Sequence, residues 1–153
     1  MPDQPVRDDR ELLTRAVELA GRCPPSETAF SVGALVVDAA GTVLAEGWSR
    51  RRDPHDHAEE GALADLGPGW RAGPGTTVYS SLEPCSARAS RPRTCTDLIL
   101  AAGVDRVVFA WREPGLFVDG RGAELLRAAG VEVVELPELA AAARTPNAHL
   151  LDR

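Results

Sequence analysis

Lysine is absent from this 153-residue sequence, and so is any long basic segment. All 17 lysine-or-arginine positions are arginine, against 23 acidic residues, for a net charge of −6. The longest basic run is the three arginines at 50–52. Proteins that hold a nucleic-acid backbone need a strongly positive surface. The sequence therefore predicts no nucleic-acid partner.

Cysteines are few, and long apolar runs are missing. No hydrophobic stretch approaches the roughly 18 residues of a membrane-spanning helix, and the first ten residues are polar and acidic, unlike a secretory signal. The three cysteines, at 23, 85 and 95, are too few and too uneven in number for a disulfide scaffold. We therefore expect a cytoplasmic protein with no membrane partner.

The remaining composition is that of an ordinary globular domain. Hydrophobic residues make up 44% of the chain and charged residues 26%. A chain of this length can bury a substantial core within one domain. We expect a single domain over residues 1–153, with its core at about 8–145.

Capping and turn residues divide the chain into helices and strands. Asp8 and Glu11 form a capping-box pattern before an apolar helical stripe that ends at Gly21. Further helices are predicted at 56–66, 94–102, 122–129 and 138–144, and strands at 30–37, 42–47, 76–80, 105–111 and 131–136. After an opening hairpin, strands alternate with helices, which favours parallel neighbours. The predicted fold class is α/β, a three-layer α/β/α sandwich with a five-stranded mixed sheet.

Two short segments about thirty residues apart carry residues that zinc prefers. The first supplies the His57 imidazole, and the second supplies the Cys85 thiol, followed by Cys95 at a predicted helix start. Helix N-termini stabilise thiolates. Two thiolates and one neutral imidazole can hold Zn²⁺ with an open fourth position, where the pKa of a water falls toward about 7. The sequence thus predicts a catalytic zinc site.

Glu59 is the predicted acid/base of this site. It lies two residues after His57, close enough to carry a proton without being a ligand. A proton moved from water to a ring nitrogen and then to a departing amine would allow hydrolysis of an amino group on an amidine-like aromatic carbon.

Each part of this pattern, taken alone, has a simpler explanation. The segment 56–59 is also a capping box, in which Glu59 would only satisfy the helix end. A single cysteine is more often a small buried hydrophobic residue. The joint order of the segments around one predicted strand favours zinc. His55 is a competing ligand, and we interpret Cys23 as structural.

The motif resembles that of the cytidine-deaminase-like zinc deaminases, whose signature is H-x-E followed by P-C-x-x-C. Here nine residues separate the two cysteines, and this longer gap is similar to the deaminase domain of bacterial riboflavin biosynthesis, the diaminohydroxyphosphoribosylaminopyrimidine deaminases. Segments 78–86, 98–108 and 120–131 also match, and the resemblance covers roughly residues 28–136. It implies a cytidine-deaminase-like fold, a homodimer, Zn²⁺ on His57, Cys85 and Cys95, and Glu59 as acid/base.

The sequence departs from that family in three places. Residues 29–33 lack the usual Pro-Asn-Pro, whose asparagine helps to hold the pyrimidine. The inter-cysteine loop is one residue longer and carries Arg88, Arg91 and Arg93. These arginines either clamp a substrate phosphate or belong to a solvated loop. The usual downstream reductase domain is missing at Arg153, so we expect a free-standing deaminase.

Two more residues are candidates for contact with the substrate. Trp111 follows a predicted strand at its carboxyl end, where α/β sheets place ligands. It either stacks on a flat ring or packs in the core. Asn147 lies near the C-terminus. Its amide either lies near the pocket or near an adjacent subunit, or the residue belongs to a loosely ordered tail.

These observations predict a hydrolytic deaminase that releases ammonia from a pyrimidine-type ring, with a riboflavin-pathway-like aminopyrimidine ribosyl phosphate as substrate. The enzymatic alternative is a deaminase of cytosine, cytidine, deoxycytidylate or a secondary-metabolite heterocycle. The non-enzymatic alternative is a binding protein with a structural zinc. Structural zinc sites are closed by a fourth protein ligand, so the ligand count separates the two classes.

Overall fold

A five-stranded mixed sheet forms the centre of the computed structural model, which describes residues 8–88, 91–115 and 120–151. The strand order is β2-β1-β3-β4-β5. The strands are β1 (Gly33–Val37), β2 (Val43–Trp48), β3 (Thr77–Leu82), β4 (Arg106–Trp111) and β5 (Glu132–Glu135). β1 pairs antiparallel with β2 and β3, whereas β3, β4 and β5 are parallel. The predicted mixed sheet is confirmed.

Helices cover both faces of the sheet. The helices are α1 (Asp9–Leu19), α2 (Ala58–Asp65), α3 (Cys95–Ala102), α4 (Gly122–Ala128), α5 (Ala140–Arg144) and α6 (Ala148–Leu151). Along β1, Leu35 packs into an apolar cluster with residues of α1, α5 and α6. The next residue, Val36, points into a second cluster with residues of α2, α3 and α4. This alternation of side chains between two covered faces gives the predicted three-layer sandwich.

The first strand begins at Gly33, later than predicted. In the preceding backbone, Val32 O still accepts from Ser49 N at 3.0 Å, but the amides of Ser31 and Val32 are paired with side chains. Asn147 Oδ1 accepts from Ser31 N at 2.6 Å, and Ser49 Oγ accepts from Val32 N at 2.9 Å. Apolar character predicted a strand here, but it does not reveal which groups satisfy the backbone.

The packed structure continues past residue 145, the predicted end of the core. Leu150 is buried in the same apolar cluster as Leu13 of α1, and Asn147 is fully buried. Within the described ranges, none of the helices has the length and apolar character needed to cross a bilayer.

Asp9 links the first helix to the sheet. It accepts hydrogen bonds from Tyr79 Oη at 2.6 Å and from both terminal nitrogens of Arg106, at 2.8 and 2.6 Å. We expect Asp9→Ala to lower the free energy of unfolding by about 2 kcal/mol, because two largely buried donors lose their acceptor. Urea denaturation measures this, with Glu18→Ala on the exposed side of α1 as control. Equal stability of the two variants would contradict the prediction.

Candidate metal centre

Three ligand side chains converge where β3 ends. His57 directly precedes α2, Cys85 follows β3, and Cys95 is the first residue of α3. His57 Nδ1 lies 3.5 Å from Cys85 Sγ and 3.3 Å from Cys95 Sγ. The three ligand atoms lie within 4.8 Å of one another. A tetrahedral zinc with ordinary bond lengths places nitrogen and sulfur ligands about 3.5 Å apart. The donor set and its spacing therefore fit Zn²⁺.

No fourth protein ligand closes this trio among the residues that the structure describes. His55, the competing ligand, lies on the wall of the adjacent cavity and its carbonyl oxygen accepts a hydrogen bond from Arg88 Nη2 at 2.8 Å. Three protein ligands with one open position are typical of catalytic zinc sites.

Helix capping holds two of the ligands in place. Thr94 and Asp97 form a capping box that starts α3 at Cys95. At α2 the capping carboxylate is Glu60, whose Oε1 accepts from His57 N at 3.2 Å. The capping explanation of Glu59 is therefore wrong, because its neighbour performs that role.

Glu59 is a buried carboxyl group at the cavity wall, only 4% exposed. Burial raises its pKa, and the negative charge of Cys85 raises it further. Ser80 Oγ lies 3.0 Å from Glu59 Oε2 and 2.7 Å from Leu82 O. A hydroxyl has one hydrogen to donate, so Ser80 Oγ can donate it to an ionised Glu59, or donate it to Leu82 O and accept a hydrogen bond from a neutral Glu59. This environment accommodates both protonation states.

The pKa values of the two cysteine thiols shift in opposite directions. A hydrogen bond from the Cys95 side chain lowers the pKa of Cys85 to about 4. The same hydrogen bond, together with burial, raises the pKa of Cys95. Cys95 N also donates to Cys85 Sγ at 3.2 Å, which favours a thiolate at Cys85, and zinc binding requires both sulfurs to be deprotonated.

A cavity of about 560 Å³ opens beside the trio, a size typical of small-molecule sites. Phe30 and Val32 contribute apolar walls, and Glu59, Cys85 and His57 lie on the side of the ligand cluster. The cavity therefore offers a flat ring apolar contact next to a metal position and a proton carrier.

The structure separates the three arginines of the inter-cysteine loop. Arg88 lines the cavity and its side chain is only 3% exposed. It lies 3.3 Å from Glu60 Oε1. Arg91 pairs with Asp53 at 2.8 Å and with Glu60 at 3.1 Å, and neither it nor the exposed Arg93 is among the lining residues.

Trp111 lies behind the cavity. It is buried and makes an edge-on contact with Phe30, with ring centroids 5.1 Å apart and planes at 67°. Phe30 lines the cavity, whereas Trp111 is not among the lining residues. Asn147 does not line the cavity either, and its side chain contacts the backbone of Ser31.

Sequence reasoning assigned no role to two carboxyl groups at this site. Glu83 is buried, and its two oxygens accept from Glu113 N at 3.0 Å and from Ala123 N at 2.9 Å. It thereby connects the loop after β4 to the start of α4. Glu113 lines the cavity. In the sequence, the Glu-Pro-Cys tripeptide is the signal that could have identified Glu83. The position just after a predicted strand is the signal for Glu113.

Arg50 also lines the cavity. The sequence did not single it out because it lies in an arginine-rich loop. Its backbone has a positive φ of 62°, and its guanidinium donates to Pro24 O, Phe30 O and Ser31 Oγ at 2.7–3.1 Å. These bonds join the two loops that form one side of the cavity.

Gly122 allows α4 to pack directly against the Pro84 backbone. A Cβ at this position would lie 2.0 Å from Pro84 O, which directly precedes Cys85. We expect Gly122→Ala to displace the ligand turn and weaken zinc binding at least about tenfold, measured by competition with a chelating dye. Gly21→Ala is the control, because no atom lies within 4 Å of a Cβ there. Equal zinc affinities would refute this packing argument.

Glu113 gives the fold a dependence on pH. Burial, chiefly, raises its pKa from 4.5 to about 7. A carboxyl group whose pKa is higher in the folded than in the unfolded state stabilises the fold below the unfolded-state pKa. This stabilisation is lost as the pH rises through the folded-state pKa. We therefore expect Glu113→Gln to raise the melting temperature at pH 8 and to change it much less at pH 4.5. Glu124→Gln, on the exposed side of α4, is the control. A pH-independent difference would contradict this.

Comparison with known proteins agrees with this geometry. The family model of the cytidine and deoxycytidylate deaminase zinc-binding region matches residues 6–111. The diaminohydroxyphosphoribosylamino-pyrimidine deaminase of Schizosaccharomyces pombe is 39% identical over 127 residues, which are 82% of this chain and 31% of that protein. The protein of the same name from Buchnera aphidicola is 32% identical over 82% of each chain.

Solved structures show the same architecture. Acinetobacter baumannii RibD superposes with a TM-score of 0.77 at 30% identity, covering 94% of this chain and 39% of that chain. This chain thus spans about a third of the S. pombe protein and of the RibD proteins that it matches. On the match over residues 6–111 and the similarity to the Buchnera protein, the chain belongs to the cytidine and deoxycytidylate deaminase zinc-binding family.

Proposed function

We propose that this protein is a zinc-dependent hydrolytic deaminase of an aminopyrimidine. The observation that carries the proposal is the trio of His57, Cys85 and Cys95 beside the buried Glu59, with His57, Cys85 and Glu59 in the wall of one cavity. This arrangement combines a metal position, a proton carrier and room for a flat ring.

The three ligands would hold Zn²⁺ through one nitrogen and two sulfur atoms. Zn²⁺ bound there supplies Lewis acidity toward a water nucleophile. Glu59 takes a proton from the attacking water and delivers it to the ring nitrogen, then carries the second proton to the departing amine. The C–N bond to the amino group breaks, a C=O group remains, and ammonia leaves. Ser80 Oγ donates to Glu59 Oε2 when the carboxyl group is ionised and can accept a hydrogen bond from it when the group is protonated.

We assign the substrate to the class of aminopyrimidines that carry a sugar phosphate. The S. pombe and Buchnera relatives are named for the deamination of such a compound, and the cavity is large enough for one. Arg88 is the arginine proposed to contact the substrate, because it alone of the three loop arginines lines the cavity. Arg91 holds the loop through Asp53 and Glu60, the carbonyl oxygen of Arg93 accepts from Arg88, and Trp111 supports Phe30.

A substrate screen tests the proposal. Purified protein with measured zinc content is incubated with aminopyrimidines, cytosine nucleosides and nucleotides, and pterins, each with and without a phosphate where available, and ammonia is quantified. We expect release from a phosphorylated aminopyrimidine and at least about tenfold lower kcat/KM without the phosphate. Preference for cytidine or deoxycytidylate would instead support the alternative function, a cytidine or deoxycytidylate deaminase. The predicted homodimer is measured in the same preparation by light scattering.

A further inference from the structure

We propose that Asn147 is a positioning residue that fixes one wall of the cavity and thereby sets substrate affinity without contacting the substrate. It acts through Ser31, and the wall consists of Phe30 and Val32. The kinetic part of this inference rests on the proposed function. Its structural part does not.

Residues 30–32 form the wall segment, and Asn147 takes the place of a neighbouring β-strand at its middle residue, Ser31. Its Oδ1 accepts from Ser31 N at 2.6 Å, and its Nδ2 donates to Ser31 O at 3.0 Å. This pair of bonds to the two backbone groups of one residue is what an adjacent antiparallel strand provides. Nδ2 also donates to Ala143 O at 3.3 Å, so the fully buried amide uses both of its donor hydrogens.

The opposite side of the same segment is held by the loop after β2. Arg50 donates to Phe30 O at 3.1 Å and to Ser31 Oγ at 2.7 Å. Ser49 Oγ accepts from Val32 N at 2.9 Å. Residues 30–32 precede β1. One backbone bond, from Ser49 N to Val32 O at 3.0 Å, continues the pairing with β2, and the side chains align Phe30 and Ser31. Asn147 is the contribution from the C-terminal segment.

The wall segment bears directly on the cavity. Phe30 and Val32 line it, whereas Ser31 and Asn147 do not. The C-terminal segment is a rigid support, because Ala143 and Leu150 on either side of Asn147 are buried in the core. Without the amide, the Ser31 backbone groups are unpaired in a buried position, and the segment relaxes to satisfy them. Phe30 then no longer presents a fixed apolar surface to the ring.

Two substitutions and one control test this assignment. Asn147→Ala removes both bonds to Ser31. Asn147→Leu keeps a similar volume and shape but can neither accept from Ser31 N nor donate to Ser31 O. Thr145→Val, in the same segment, removes only a local bond to Ala141 O. We expect both Asn147 variants to raise KM about tenfold, with kcat changed less than about threefold and zinc content unchanged.

Amide hydrogen exchange gives a readout independent of turnover. In both Asn147 variants the Ser31 amide should exchange at least about tenfold faster, while amides of β1 keep their rates and Thr145→Val resembles wild type. Unchanged exchange at Ser31, or faster exchange with an unchanged KM, overturns the inference. Asn147→Leu supplies the answer if Asn147→Ala does not fold. If wild type deaminates none of the screened compounds, the proposed function fails, and exchange at Ser31 still decides whether Asn147 holds the wall.

Discussion

Glu59→Gln should abolish deamination while leaving the fold and the zinc content intact. Glutamine has nearly the same shape, so Ser80 Oγ keeps a polar partner at about the 3.0 Å seen for Glu59. It cannot take a proton from water or pass one to a leaving amine. General acid–base groups contribute about 10²–10⁴-fold to rates, and Glu59 serves more than one transfer. We therefore expect kcat to fall by about 10³-fold or more.

Glu60→Gln is the matched control for this measurement. Glu60 is the adjacent carboxylate on the same helix, and its role at His57 N needs only an acceptor oxygen, which glutamine retains. Its ion pairs with Arg88 and Arg91 are lost, so a moderate loss of kcat/KM, within about tenfold, is expected. Ammonia release and zinc stoichiometry are measured for both variants. Near-normal kcat in zinc-loaded Glu59→Gln would rule out Glu59 as the proton carrier.

His57, Glu59, Cys85 and Cys95 could be singled out from the sequence because few residue types bind zinc or carry protons. A histidine, two cysteines and a glutamate in order around a strand predicted one cluster, and His57, Cys85 and Cys95 do converge. The fold class was equally accessible, since strands alternating with helices leave few topologies. The resemblance to a deaminase family relied on the same residues.

The surroundings of the site could not be predicted in the same way. Three loop arginines look alike in sequence, and only the tertiary structure shows that Arg88 lines the cavity, that Arg91 pairs with Asp53 and that Arg93 is exposed. Asn147 meets Ser31 across 116 positions, a contact for which hydrophobic periodicity contains no signal. The same contact gives the backbone of Ser31 partners that are not a neighbouring strand. Contacts between side chains and backbone depend on tertiary structure, which local patterns do not encode.

Cys95→Ser should remove zinc from the protein and with it all activity. The Cys95 side chain is completely buried at the start of α3, 3.3 Å from His57 Nδ1. A serine hydroxyl is not ionised near neutral pH and is a poor ligand for zinc in place of a thiolate. We expect zinc stoichiometry to fall from about one per chain to below about 0.2, and kcat to become undetectable. The melting temperature should also fall, because a metal bound only by the folded state stabilises it.

Cys23→Ser separates the loss of a ligand from the loss of a thiol. Cys23 is the one cysteine of the three that lies outside the cluster. Its Sγ donates to Val32 O at 3.4 Å, and a hydroxyl can also make this bond. We expect zinc stoichiometry and kcat within about twofold of wild type. Zinc is measured by atomic absorption after dialysis against metal-free buffer, so that weakly held ions are removed equally from both variants. A Cys95→Ser protein that keeps stoichiometric zinc would mean that the metal is held elsewhere, and the trio at the end of β3 would then have to be explained as packing. Retention in Cys23→Ser together with loss in Cys95→Ser assigns the metal to the cluster, because the two substitutions change the same chemical group and differ only in where the fold places it.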